Sequence, residues 1–332
     1  DTAEMLAAVF KGTEKGFSYS RSGNPTVEAL EAKITAMEGG VGTVAFATGM
    51  AAIGSILFSL LRKGDHFLSS SFLFGNTNSL FQSFAGQGID VSFVDATAVE
   101  AVEAALRPET RMVFVETIAN PRTQIADLEA IGALCAERGV VFVVDNTMTS
   151  PWLFQPKAVG AHLVVNALTK YIGGHGAALG GSVTDTGLFP WDRYPHIFDA
   201  YRSAPPARQA LTQLRKKGLR DFGASLAPEA AHTLALGAET LALRLDRACG
   251  TAAALAALLQ AHPAVQRVHH PSPADHPQHD RAAKLYRHPR ALRSFQHDPR
   301  HALFAFSHRL PLAVNPTNLG HTRTLIIPRA HP

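Results

Sequence analysis

Residues 140–147 read VVFVVDNT: the unbroken apolar run Val140-Val141-Phe142-Val143-Val144, then Asp145, Asn146 and Thr147. The run lacks the polar alternation of a strand with one wet face, so it predicts a strand buried on both faces. Such strands belong to parallel sheets, whose neighbours are joined by helical crossovers. Upstream, Val113-Phe114-Val115 precedes a helical pattern from Leu128 to Arg138; downstream comes Leu163-Val164-Val165. Right-handed βαβ units follow, and with them an α/β fold.

The chain of 332 residues exceeds one ordinary domain of about 100–200 residues, so two domains, or a large one with an appendage, are expected. With 46% hydrophobic and 17% charged residues it supports a sizeable core and excludes wholesale disorder. Val41 to Leu61 carries no charge over a length that could cross a bilayer. Gly42, Thr43, Thr48, Gly49, Gly54, Ser55 and Ser59 dilute it, and a strand, a glycine turn and a buried helix are expected instead of a membrane span. Leu57–Leu61 and Lys63-Gly64-Asp65 read as a helix end and a turn, with Phe67-Leu68 opening the next strand. Glu229 to Gln260 is rich in Ala and Leu at helical spacing and predicts long helices. Beyond His262 the chain is rich in Pro, His and Arg, with apolar runs at Leu303–Phe306 and Leu325–Ile327, and reads as a smaller α+β domain.

Cys135 and Cys249 cannot form a disulfide framework and suggest a reducing, cytoplasmic setting. CxxC, HExxH, GxxxxGK[ST], GxGxxG and GxSxG are all missing, so zinc, ATP, dinucleotide and serine-hydrolase chemistry lose their usual support. The formal charge of +4 is uneven: Ala261 to Pro332 holds ten Lys and Arg against three Asp, and 11 of the 16 histidines. Basic residues without interleaved aromatics read as a solvated face, with no nucleic-acid partner expected. His269, His270, His276 and His279 are irregularly spaced with no Cys nearby, and no metal is expected.

Polar residues cluster where the apolar runs end. Glu116 and Asn120 follow Val113–Val115; Asp145, Asn146 and Thr147 follow Val140–Val144; Thr169, Lys170, Gly173, Gly174 and Gly176 follow Leu163–Val165. In an open parallel sheet those ends line the ligand crevice. Thr48-Gly49-Met50 opens a helix whose N-terminal amides suit an anion. Taken singly, Asp145 reads equally as a helix cap, Lys170 as a surface lysine and Gly173-Gly174 as a turn. Together, a carboxylate at one strand end, a lysine at the next and a phosphate cradle are what pyridoxal phosphate (PLP) requires. The lysine holds the cofactor covalently, and the carboxylate keeps the pyridine nitrogen protonated because opposite charge favours the charged form.

The sequence resembles the PLP-dependent cystathionine γ-synthase family of cysteine and methionine metabolism. The stretches that carry the resemblance run from Tyr19 to Thr26, Met37 to Gly40, Thr48 to Ala52, Phe74 to Thr77, Glu116 to Pro121, Val144 to Thr147, Thr169 to Gly176 and Asn318 to Arg323, in family order across nearly the whole chain. The resemblance implies an aspartate-aminotransferase-like (fold type I) architecture: a mostly parallel seven-stranded sheet with helices on both faces and a smaller C-terminal α+β domain. It implies an N-terminal arm (1–20) contacting a neighbouring subunit, a large PLP-binding domain (21–228) and a small domain (229–332). By position, Lys170 would carry PLP, Asp145 would pair with the ring nitrogen and Phe74 would stack on the ring. Gly49, Met50, Thr147 and Thr169 would contact the cofactor, Asn120 its phenolic oxygen, and Tyr19 and Arg21 the phosphate of a neighbouring subunit. Glu116 and Asn318 would face the substrate. A homodimer or homotetramer acting on a small amino acid is therefore expected.

Three positions depart from the family pattern. Many relatives have Ser where Ala167 stands and Tyr where Phe74 stands; methionine γ-lyases often carry Cys where Asn76 stands. The last two point to γ-replacement on an O-acylhomoserine, with sulfide or cysteine as acceptor and homocysteine or cystathionine as product. The alternative is γ-elimination of cystathionine or methionine to 2-oxobutyrate. The family's Arg-containing carboxylate-binding segment is expected beyond Pro332, and Arg329 matches no family carboxylate ligand.

Overall fold

The computed structural model describes residues 2–120, 122–288, 291–292, 294–297, 303–315 and 318–328. Pro121 and Arg329 lie outside them. The first two thirds of the chain alternate: α1 (Ala3–Lys11), α2 (Pro25–Glu38), β1 (Gly42–Phe46), α3 (Gly49–Leu60), β2 (His66–Ser70), α4 (Gly75–Ala85) and β3 (Asp90–Val94). Then come α5 (Val99–Ala104), β4 (Thr110–Glu116), α6 (Leu128–Arg138), β5 (Val141–Asp145), α7 (Ser150–Leu153), β6 (Leu163–Asn166) and β7 (Gly181–Asp185).

Seven strands form one sheet in the order β1-β7-β6-β5-β4-β2-β3. Only β7 is antiparallel to its neighbours, β1 and β6. The expected mostly parallel sheet is therefore present. In β5, Val141 and Val143 join the core that holds α3, whereas Phe142 and Val144 join the core that holds α6. All four are fully buried, so both faces of the strand are dry and the missing alternation is explained. Each such side chain contributes about 1.5–3 kcal/mol of burial. The uncharged stretch from Val41 divides into β1, a turn and α3; among the described residues no helix is long and apolar enough to cross a membrane.

After β7 follow α8 (Pro206–Gln213) with a π-helical continuation (Leu214–Asp221), α9 (Pro228–Ala238) and α10 (Leu241–Gln260). The predicted long helices thus occur as two, separated at Glu239 and Thr240. Beyond them lie β8 (Val265–His269), α11 (His279–Leu285), β9 (Ser294–His297) and α12 (Leu303–His308). The β8–β9 pair is antiparallel and separate from the large sheet. The strand-like run at Leu325 makes a single bridge to Val314.

Candidate active site

The parallel register pairs Glu116 with Asp145 at the carboxyl ends of β4 and β5, and β6 ends beside them at Asn166. Both β1 and β6 oppose β7, so β1 runs with the parallel set and delivers Thr48 and the N-terminus of α3 to the same edge. There β2 delivers Phe74 at the start of α4. One edge therefore gathers the cradle, the aromatic ring, the two carboxylates and the lysine turn.

The Thr48 hydroxyl accepts the Ala51 N–H at 3.0 Å and caps α3. Gly49 and Met50 occupy the first turn, where N–H groups have no intrahelical acceptor and favour an anion. The first residue of β7, Gly181, closes on this turn. A Cβ there would fall 2.2 Å from Thr48 O and 2.7 Å from Gly49 N, so no larger residue fits without moving the cradle.

Asp145 is 9% exposed. Its Oδ1 accepts the Thr147 N–H at 2.9 Å, and the Thr147 hydroxyl in turn accepts the Ala167 N–H at 2.8 Å, tying the end of β5 to the turn after β6. Burial raises the Asp145 pKa, and the Thr147 hydrogen bonds oppose the rise. Among the described residues no cation pairs with it. A cationic ring N–H would supply the missing charge.

Lys170 lies four residues past the end of β6, partly buried, and burial lowers its pKa. Its Nζ donates to Asn318 Oδ1 at 2.5 Å, and Asn318 Nδ2 lies 3.4 Å from His321 Nε2. The segment matched at 318–323 thus folds over the lysine turn. Behind that turn, Arg244 of α10 donates to Tyr171 O (2.7 Å), Ile172 O (3.1 Å) and Gly237 O (2.7 Å).

Phe74 is 46% exposed, leaving an apolar ring face at the edge. Its N–H donates to Glu116 Oε1 at 2.8 Å, so Glu116, expected to face substrate, holds the backbone beneath the aromatic ring. Thr169 is also committed: its hydroxyl donates to Gly180 O at 3.2 Å and accepts the Gly180 N–H at 3.0 Å, so donating to a phosphate would require breaking the first bond. Asn120 is partly buried in the loop after β4, which the Ile118–Ile125 bridge closes. Tyr19 and Arg21 lie on an exposed stretch, and the Ser225 hydroxyl, beside the end of β1, donates to Arg21 O. The Arg21 guanidinium sits 5.0 Å from the Tyr19 ring centroid and donates to Arg220 O.

An amine, a buried carboxylate, a helix N-terminus and an exposed aromatic face are the donor set a phosphorylated pyridine aldehyde needs, and the residues present fit PLP. Gly181 and Arg244 carry no signal in the sequence, since neither a close backbone approach nor a guanidinium on three carbonyls leaves a local pattern. Among the described residues no group of three or more His, Cys, Asp or Glu is placed to hold a metal ion.

Comparison with known proteins agrees with the fold and with PLP as cofactor. The family model for Cys/Met metabolism PLP-dependent enzymes matches residues 2–331. The L-methionine gamma-lyase of Pseudomonas deceptionensis is 37% identical over 299 residues, covering 89% of this chain and 69% of the relative. The O-acetyl-L-homoserine sulfhydrylase 1 of Thermus thermophilus is 38% identical over 339 residues, covering 98% and 80%. The solved O-acetylhomoserine sulfhydrylase of Wolinella succinogenes superposes with a TM-score of 0.85 at 38% identity, over 92% of this chain and 87% of that one. The cystathionine gamma-lyase of Lactobacillus plantarum does so with 0.84 at 31% identity, over 94% and 76%.

Proposed function

The chain belongs to the Cys/Met metabolism PLP-dependent enzymes, and from that membership and its sheet-edge site we propose that it catalyses γ-replacement on an O-acylhomoserine. Sulfide or cysteine is the acceptor, and homocysteine or cystathionine the product. The observation that carries this reading over elimination is Phe74: the ring at the cofactor-stacking position has no phenol to move a proton. The similar sulfhydrylases of Thermus thermophilus and Wolinella succinogenes support it. Elimination to 2-oxobutyrate stands as the second reading, because a methionine gamma-lyase is equally similar.

PLP, when bound, supplies an electron-accepting ring for the charge left at the amino-acid α-carbon. The protein residues do the rest. Lys170 is the attachment lysine and, as a free amine, the base that takes the α-proton and then a β-proton. Burial lowers its pKa, so the neutral amine is available nearer physiological pH than for an exposed lysine. Asp145 holds the proton on the ring nitrogen, and Thr147 fixes the orientation of its carboxylate. The Gly49 and Met50 amides hold phosphate. Glu116 sets the Phe74 backbone, and with it the stacking ring. Asn318 orients the Lys170 amine. Tyr19 and Arg21 reach the phosphate of a second subunit from the 1–20 arm and its junction, so the active unit is at least a dimer.

The test is a product assay with O-acetyl- and O-succinylhomoserine, with and without sulfide. Thiol-dependent homocysteine is the expected result. Only 2-oxobutyrate under excess sulfide overturns replacement in favour of elimination, and undiminished cofactor absorbance in Lys170→Ala overturns the lysine assignment.

A further inference from the structure

Glu38 ends α2 and is fully buried. Gly39, at φ 63°, turns the chain out of the helix immediately after it. Glu38 Oε1 accepts two side-chain amides, Asn146 Nδ2 at 3.0 Å and Asn166 Nδ2 at 2.7 Å. Asn146 follows the last residue of β5, Asn166 is the last residue of β6, and both are buried. Among the described residues, two buried atoms of this cluster have no partner: Glu38 Oε2 and Asn166 Oδ1.

If Glu38 is ionised, both leftover atoms are acceptors, and among the described residues no donor reaches them: the Ser182 hydroxyl, opposite Asn166 in the β6–β7 register, is itself buried without a partner. A proton on Oε2 supplies one. A carboxylic acid and an amide that share one such bond can then close a ring of two hydrogen bonds. Turning the Asn166 amide over leads to the same state, because its oxygen would then face Oε1 at 2.7 Å, a separation that needs a proton between the two. A buried unpaired carboxylate is far more costly than the neutral acid. Burial drives this carboxyl up to about 7, against the pull of the two amides.

The charged groups of the surrounding elements are engaged elsewhere. Lys157 donates to Gly39 O, Asp145 accepts from Thr147, and Asp185 of β7 accepts from Gly187 and Trp191. Glu31, two turns back on α2, pairs with Arg215. On α9, Glu229 and His232 are exposed.

We propose that Glu38 is held as a neutral carboxylic acid closing a two-bond ring with the Asn166 amide, and that this ring positions the ends of β5 and β6. Asp145 directly precedes Asn146, and the Lys170 turn follows Asn166, so both groups are set from behind by one proton. Asn146 extends the constraint: its Nδ2 also donates to Phe154 O at 2.9 Å and its Oδ1 accepts the Thr149 hydroxyl at 2.5 Å. Glu38 touches neither cofactor nor substrate and is a positioning residue. Its consequence for catalysis rests on the roles proposed for Asp145 and Lys170; its protonation state does not.

The experiment compares the holoenzyme with Glu38→Gln and Glu38→Ala by infrared difference spectroscopy below neutral pH, with cofactor absorbance and kcat as second readouts. The protonated-carboxyl stretching band of the parent is expected to vanish in Glu38→Gln. Glutamine keeps the carbonyl acceptor and puts an N–H donor where the acid hydroxyl stood, with one further N–H, so that variant keeps the cofactor spectrum and a kcat within about twofold of the parent. Glu38→Ala strands two amide donors and is expected to lose roughly tenfold in kcat with a shifted cofactor spectrum. No such band in the folded parent, or Glu38→Gln as impaired as Glu38→Ala, overturns the proposal. If Glu38→Ala does not fold, the band and the Glu38→Gln spectrum decide. Failure of the lysine assignment would show instead in Lys170→Ala and leave the infrared result unchanged.

Discussion

Lys170 Nζ donates to Asn318 Oδ1 at 2.5 Å, across 148 residues of sequence. The acceptor favours the charged amine, whereas burial disfavours it. Replacing Asn318 with Asp adds a negative charge and raises the Lys170 pKa. The acid limb of the kcat–pH profile is then expected to move to higher pH. Asn318→Ala removes the acceptor and moves it to lower pH. Rate profiles of the two variants check this, and superimposable limbs refute it.

Arg244 satisfies three backbone carbonyls, two of them in the residues directly after Lys170. Its guanidinium fork suits that geometry and a lysine ammonium does not. Arg244→Lys is expected to lose about 2–4 kcal/mol of stability, with at least one buried carbonyl left unpaired. Because the lysine turn shifts, kcat should fall more than KM rises. Denaturant unfolding and steady-state kinetics measure the two effects. An unchanged kcat in a destabilised variant would confine Arg244 to the scaffold.

Gly181 meets the N-terminus of α3 backbone to backbone, with the nearest atom 2.2 Å from where a Cβ would sit. Gly181→Ala must push Thr48 and Gly49 away from β7. Overpacking of this kind costs about 1–3 kcal/mol. The displaced amides would also lower cofactor affinity, by about two- to tenfold if half the strain falls on the bound state. Titration of the apoenzyme with PLP, followed by absorbance, reads that loss; parent-like affinity would mean that the cradle lies elsewhere.

The sheet and the strand-end residues were legible because an apolar run without alternation has few structural solutions. β5 and β6 could be read directly, and Asp145 and Lys170 follow from where those strands stop. Glu38 was not legible as a buried acid. Its partners lie 108 and 128 residues away, and its burial depends on α2 docking against the sheet. The same holds for Glu116, whose bond to the Phe74 N–H exists only once β4 and the start of α4 share an edge. Thr169 shows the converse: its place in the lysine turn is evident from the motif, but its commitment to Gly180 depends on how β7 returns.

The Glu38 carboxyl stands at about 7 in the fold against an ordinary 4.5. Between those values the native chain binds a proton that the unfolded chain has released, so stability must fall as pH rises through the interval. The contribution is fully present below 4.5, declines up to about 7 and is flat beyond. Its size is on the order of 3 kcal/mol. Asp185, raised by burial to about 6 from 3.8, adds a slope of the same sign at lower pH. Glu38→Gln keeps the Asp185 slope and loses the later one. Its thermal midpoint should therefore match the parent's in mild acid and exceed it by a few degrees above neutrality. Melting curves across that range measure the crossover. Parallel profiles for the two proteins would show that Glu38 does not titrate in this interval and would remove the basis for the slope assigned to it.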